Sequence, residues 1–202
     1  MQFDINGVIF DLDGTLVSSE LDFQQMRRDI GCPLQEDILA FIDQLPDQNQ
    51  QEEAMAIIRN HELEDAHAAV WLPGAQHLVH RLHALQIPMA IVTRNYSQAA
   101  RIKINNNEMP IKTLITREDA PAKPDPTALL QIADSWQIKP ERIVYVGDFR
   151  YDVEAANNAN MVSCLYAPEV LPDYAHTADL VIEHFDQLTQ LMTKRSIQLE
   201  ES

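Results

Sequence analysis

Gly7-Val8-Ile9-Phe10-Asp11-Leu12-Asp13-Gly14-Thr15 decides how the chain is read. A short apolar run ends in two carboxylates two residues apart, and a glycine follows. The run has the length of a buried strand. Residues i and i+2 of an extended segment point the same way. A strand ending at Asp11 can therefore turn both acids toward one point above the C-terminal edge of a sheet. Gly14 lets the chain turn sharply there and lets the backbone come close to a ligand. Two crowded carboxylates repel unless a cation lies between them. Oxygen donors of this kind suit Mg²⁺, which takes one or two carboxylates together with substrate phosphate oxygens. The stretch predicts metal-assisted phosphoryl chemistry.

Segments of similar character follow at 88–92, 112–115, 142–146, 161–165 and 180–182, each closed by polar or turn residues. Between them, 75–85, 97–104, 126–136 and 152–160 read as helices. In the first of these, Leu78, Val79, Leu82 and Leu85 fall at helical spacing. Strands alternating with helices predict an α/β, Rossmann-like core, a parallel sheet covered on both faces. Ligands of such sheets bind beyond the carboxyl ends of the strands. The stretch 17–71 breaks the alternation. It reads only as helices, at 21–30, 34–45 and 50–69, punctuated by Pro33 and Pro46 and closed by Pro73-Gly74. The expected organisation is a core of residues 1–16 and 72–202 with a small all-helical cap, 17–71, inserted after the first strand. A cap in that position can exclude water and touch the substrate. Residues 194–202 read as a frayed or helical surface tail.

The 202 residues suit one core domain with a modest insertion. A net charge of −16, from 15 Lys+Arg against 31 Asp+Glu, disfavours nucleic acid and anionic membrane surfaces as partners. No apolar run reaches the roughly 20 residues that span a bilayer, and no basic, apolar leader is visible at the N-terminus. Cys32 and Cys164 lack metal-ligand or redox spacing and read as isolated buried thiols. A cytoplasmic protein, monomeric or homodimeric, is expected.

Four strand ends carry complementary chemistry. The first gives Asp11 and Asp13. The second ends in Thr93-Arg94-Asn95. Ala122-Lys123-Pro124-Asp125 follows the third, and the fourth ends in Gly147-Asp148-Phe149-Arg150-Tyr151-Asp152. Singly each has an ordinary explanation. Asp favours turns and helix caps, Thr93 and Asn95 can cap a helix, and Asp152 suits a helix N-terminus. His77, His80 and His83 recur every third residue, but that spacing drifts round a helix, so they read as a surface face. Arg27 and Arg28 read as solvated charges of the first cap helix.

In this order, the four motifs give the chain a resemblance to the haloacid dehalogenase superfamily of Mg²⁺-dependent phosphatases. The resemblance covers about residues 4–16 and 72–185. The helical insertion is similar to the cap of the phosphoglycolate phosphatase-like branch. The resemblance implies Asp11 as nucleophile and Asp13 as general acid, then general base. It implies Mg²⁺ held by the Asp11 carboxylate, the Asp13 backbone carbonyl and Asp148. The Thr93 hydroxyl and the N–H of Arg94 would hold phosphoryl oxygens. Lys123 would pair with Asp11 and the phosphate, and Asp152 would orient Lys123 or the metal's waters. The expected function is hydrolysis of a small phosphomonoester (phosphoglycolate, a sugar phosphate or a nucleotide) through an aspartyl-phosphate. A phosphomutase, or a phosphoryl-accepting or binding protein without turnover, shares the same loop. Relatives have a small polar residue where Phe149 stands, and many have glycine where Asn160 ends the last helix.

Overall fold

The computed structural model describes residues 4–190; the 194–202 tail lies outside them. Six parallel strands form one sheet. They are β1 (Gly7–Phe10), β2 (Met89–Val92), β3 (Thr113–Ile115), β4 (Ile143–Gly147), β5 (Val162–Tyr166) and β6 (Leu180–Ile182). Their spatial order is β3-β2-β1-β4-β5-β6, so β1 lies centrally, between β2 and β4. The sheet is the expected α/β, Rossmann-like one.

Burial on both faces follows from the alternation of side chains along each strand. Val8 and Phe10 of β1 and Val144 and Val146 of β4 join one apolar cluster with Leu78, Val79 and Leu82. Ile9 and Tyr145 point the other way, into a second cluster with Leu129, Ile132 and Ala156. These partners come from α4 (Ala75–Ala84), α6 (Thr127–Trp136) and α7 (Arg150–Asn158), and α5 (Ser97–Asn106) adds Ala100 to the first cluster. Asn160, one residue beyond the C-cap of α7, has φ 54°, the left-handed conformation that asparagine tolerates in place of glycine.

Between β1 and α4 lie three helices, α1 (Phe23–Ile30), α2 (Ile38–Asp43) and α3 (Gln48–Ala66). They enclose their own cluster of Met26, Cys32, Ile38, Ile42, Ala54 and Ile58. Each begins at an aspartate, Asp22, Asp37 or Asp47, whose carboxylate accepts backbone N–H groups of the first turn. Those caps shift the helix starts from the expected 21, 34 and 50. The chain enters and leaves the segment side by side. Val17 pairs with Trp71, Ser18 N–H donates to Val70 O at 2.8 Å, and Leu72 N–H donates to Leu16 O at 2.9 Å.

Three ion pairs fasten the helical segment to the sheet domain. Lys103 Nζ lies 2.5 Å from Asp65 Oδ2. Arg117 grips both oxygens of Glu62, at 2.5 and 2.8 Å. Arg94 Nη2 reaches both oxygens of Asp37 at 2.7 Å. Cys32 and Cys164 are both buried free thiols, and His77, His80 and His83 are exposed. Arg27 departs from the solvated reading. Its guanidinium folds back to donate to the carbonyls of Pro33, at 3.0 Å, and of Glu36, closing the turn into α2.

Candidate active site

The carboxyl ends of β1, β2 and β4 meet in one place because these three strands are neighbours in the sheet. Asp11 follows β1, and its N–H donates to Val146 O of β4 at 2.8 Å. Asp148 comes from the turn after β4, and Asp152 from the first turn of α7. One carboxylate oxygen from each of Asp11, Asp148 and Asp152 lies within 4.8 Å of the others. Lys123, buried on the loop before α6, puts its ammonium 2.8 Å from Asp11 Oδ1 and 2.6 Å from Asp152 Oδ1. Lys123 thus bridges Asp11 and Asp152.

Two glycines make the crowding sterically feasible. Gly14 has φ +74°, and a Cβ on it would lie 2.4 Å from Asp148 Oδ2. A Cβ on Gly147 would lie 2.2 Å from Asp152 Cγ. Neither position has room for another residue. Asp152 spends its oxygens inside the protein. Oδ2 accepts the Phe149 N–H at 2.9 Å, and Oδ1 lies 3.0 Å from the buried Tyr145 hydroxyl as well as beside Lys123. Asp148 takes a 3.3 Å bond from the Thr15 hydroxyl.

Burial dominates the acid–base behaviour of these groups. It pushes Asp11 up to about 8, against the pull of Lys123 and with help from Asp152 and Asp148. It pushes Asp148 up to about 6, with Asp152 adding to the shift. Burial also works against the charge of Lys123, but Asp11 and Asp152 outweigh it and hold the ammonium above the ordinary lysine value. Two buried carboxylates and the half-buried Asp148, with one ammonium among them, form an electron-rich oxygen cradle. Its donors are of the hard type that a divalent cation such as Mg²⁺ accepts, and Asp11 and Asp148 are the two with fewer internal partners.

Thr93 is buried at the end of β2, and its hydroxyl oxygen accepts the Asn95 N–H at 3.1 Å. Arg94 lines the same cavity, but its guanidinium is turned to Asp37 and lies over the Tyr151 ring, 4.7 Å from the centroid. The guanidinium is thus taken up by a carboxylate and a ring, whereas the backbone N–H of Arg94 is free of these two contacts. Arg150 rests on the same ring at 5.2 Å. The cavity measures about 710 Å³. Its floor is Asp11, Asp13, Thr93, Lys123 and Asp148, and the helical segment lines its far side with both apolar residues, among them Met26, Ile38 and Ile58, and polar ones, among them Glu36, Asp37 and Glu62.

Asp13 faces a different set of partners. Asn95 Nδ2 donates to its Oδ2 at 2.6 Å, and Lys103 donates to its Oδ1. Burial raises the Asp13 carboxyl above its ordinary value despite Lys103. Lys103, Asp65, Glu62 and Arg117 were not singled out by sequence. Arg117 also donates to the Arg94 carbonyl at 2.7 Å, so the loop carrying Thr93 is pinned from below by a residue that Glu62 grips. The available signal was a charged residue in an apolar stripe. Lys103 falls on the same helical face as Ala99 and Ala100.

Comparison with known proteins agrees with this geometry. The family described as haloacid dehalogenase-like hydrolase matches residues 8–166. An uncharacterised hydrolase of Saccharomyces cerevisiae is 30% identical, over 93% of this chain and 91% of that protein. A phosphoglycolate phosphatase of Pseudomonas putida is 27% identical, over 78% of this chain and 67% of that one. The crystal structure of a hydrolase from Pseudomonas syringae superposes with a TM-score of 0.77 at 22% identity, covering 93% of this chain and 98% of that one.

Proposed function

The chain belongs to the haloacid dehalogenase-like hydrolase family, and from that premise we propose that it is a Mg²⁺-dependent phosphatase of small phosphomonoesters. The observation that carries the reading is the convergence of Asp11, Asp148 and Asp152 within 4.8 Å of one another, with the Lys123 ammonium paired to Asp11 and Asp152. A phosphatase named for phosphoglycolate among its relatives supports the same reading, and that ester, a sugar phosphate or a nucleotide is the size of substrate we assign. Residues 17–71 serve as the cap, with their separate apolar cluster and paired entry and exit strands in support.

Asp11 attacks phosphorus and forms an aspartyl-phosphate as the ester oxygen departs. Asp13 gives its proton to that oxygen. It then takes a proton from the water that attacks the aspartyl-phosphate, releasing phosphate and restoring Asp11. The Thr93 hydroxyl and the Arg94 N–H hold phosphoryl oxygens. Lys123, kept in place by Asp152, balances the charge that spreads over the equatorial oxygens. Held by Asp11, Asp148 and the Asp13 carbonyl, Mg²⁺ would neutralise enough charge for an anion to approach an anionic ester.

Phosphate release from a panel of phosphomonoesters, with Mg²⁺ and with a chelator, tests the reading beside Asp11→Asn. Metal-dependent turnover that the variant lacks supports it. A folded, metal-loaded protein that releases no phosphate from any ester contradicts it and favours a mutase or a binding protein. Buried free thiols at Cys32 and Cys164 fit a reducing, cytoplasmic setting for this enzyme. Among the described residues no helix is long and apolar enough to cross a membrane.

A further inference from the structure

Lys103 takes no part in the chemistry assigned to Asp11, Asp13 and Lys123, yet it is fully buried beside Asp13. Its ammonium bonds two carboxylates from two different parts of the chain. One is Asp13 Oδ1 on the loop after β1. The other is Asp65 Oδ2 near the end of α3, at 2.5 Å. Asp65 in turn accepts the Ser19 hydroxyl at 3.1 Å and the Glu20 N–H at 2.6 Å, just where the chain enters the helical segment. On its other oxygen, Asp13 accepts Asn95 Nδ2 at 2.6 Å.

A lone buried ammonium is strongly unfavourable, so a lysine here is tolerated only because both acids pair with it. An apolar side chain would fill the same space without that requirement. Donors on both oxygens fix the plane of the Asp13 carboxylate, and each oxygen keeps a second lone pair for a proton. A shift of α3 moves Asp65, and the shared ammonium passes that displacement to Asp13.

We propose that Lys103 is a positioning residue that aligns Asp13 for proton transfer to the leaving group while the helical segment is seated. The inference rests on the phosphatase reading, in which Asp13 is the general acid. Asn95 fixes one oxygen from the core, and Lys103 ties the other to the segment that covers the cavity.

The leaving group provides the test. An alkyl phosphate needs a proton on its departing oxygen, whereas 4-nitrophenyl phosphate leaves well without one. The value of kcat/KM reads steps only as far as the aspartyl-phosphate, so it isolates this transfer. For Lys103→Met with Mg²⁺, kcat/KM on the alkyl ester is expected to fall about 100-fold or more, the scale of general acid catalysis. On 4-nitrophenyl phosphate the loss is expected to stay below about tenfold. Asp65→Asn keeps the shape and removes one end of the relay, so it should show the same bias toward the alkyl ester. It serves as the second variant if Lys103→Met does not fold, as read by circular dichroism. Equal losses on the two esters in the folded variants would overturn the inference while leaving the phosphatase reading in place. A wild-type protein inactive on both esters would overturn the reading, and the inference with it.

Discussion

Lys123 and Asp152 stand 2.6 Å apart, and the same ammonium lies 2.8 Å from Asp11 on its other side. One buried cation thus ties the proposed nucleophile to the first turn of α7. It is the only cation joined to this acid cluster among the described residues.

Removal of that cation leaves Asp11, Asp148 and Asp152 facing one another in a buried site. Breaking a buried pair from one side costs about 3–5 kcal/mol. Lys123→Met is therefore expected to lower the denaturant midpoint markedly, with much of the loss restored by added Mg²⁺, and to abolish phosphate release. A midpoint unchanged in chelator would contradict the arrangement.

Asp11→Asn should behave oppositely in stability. Burial pushes the Asp11 carboxyl up to about 8, so the charge the variant deletes is one the metal-free fold disfavours. Turnover is expected to vanish, while metal-free unfolding stays within about 1 kcal/mol of the parent, at the mild end of single substitutions. Phosphate-release assays and urea titration in chelator read the two halves. Residual turnover above a trace would exclude Asp11 as nucleophile.

Metal binding should release protons. With Asp11 raised to about 8 and Asp148 to about 6, the metal-free site carries protons at neutral pH that a divalent cation must displace. The affinity for Mg²⁺ is expected to rise with pH between about 6 and 8, the interval bounded by those two groups. Calorimetry in two buffers of different ionisation enthalpy measures the release directly, and equal heats in both buffers would contradict it.

Arg94→Met should loosen the helical segment without touching the acids. The guanidinium holds both oxygens of Asp37, which also caps α2. The expected signature is faster proteolysis within residues 19–69 and a larger change in KM than in kcat. Burial works against the Asp37 charge, but the bonds and charge of Arg94 and the amides of Ala40 and Leu39 outweigh it. The carboxyl is therefore held below its ordinary 3.8. A lowered carboxyl contributes stability above its ordinary value and loses it as pH falls through the lowered one. Protection from acid-tolerant proteases such as pepsin should accordingly survive to pH values below about 3.8 in the parent, and not in the variant.

The sheet and the acid cluster were legible because their signals are local. β1, β2 and β4 carry polar residues just past their carboxyl ends, and their adjacency in the parallel sheet brings those ends together. Asn160 announced a left-handed cap in the same way. The starts of α1, α2 and α3 were legible too, in Asp22, Asp37 and Asp47, but helical periodicity alone put them two to four residues away. What the chain conceals is pairing at a distance. Lys103 meets an acid 90 positions away and another 38 away, and Arg117 meets one 55 away. A lysine among alanines on α5 marks a buried charge, but nothing local to it names the partner. Arg27 misled for the same reason, since its carbonyl partners exist only once the turn into α2 has closed.

The three ion pairs that fasten the helical segment are sorted by sign. Asp37, Glu62 and Asp65 lie above, whereas Arg94, Lys103 and Arg117 lie below. Swinging the segment away would take the acid partners of Arg94 and Arg117, leave Lys103 with Asp13 alone, and bare positive charge around Thr93, in a protein whose net charge is −16. An arriving phosphate dianion would meet attraction there and repulsion elsewhere on the surface. In such a motion the carboxylates of Asp37 and Glu62 would give place to the phosphate of the substrate, one set of anions exchanged for another.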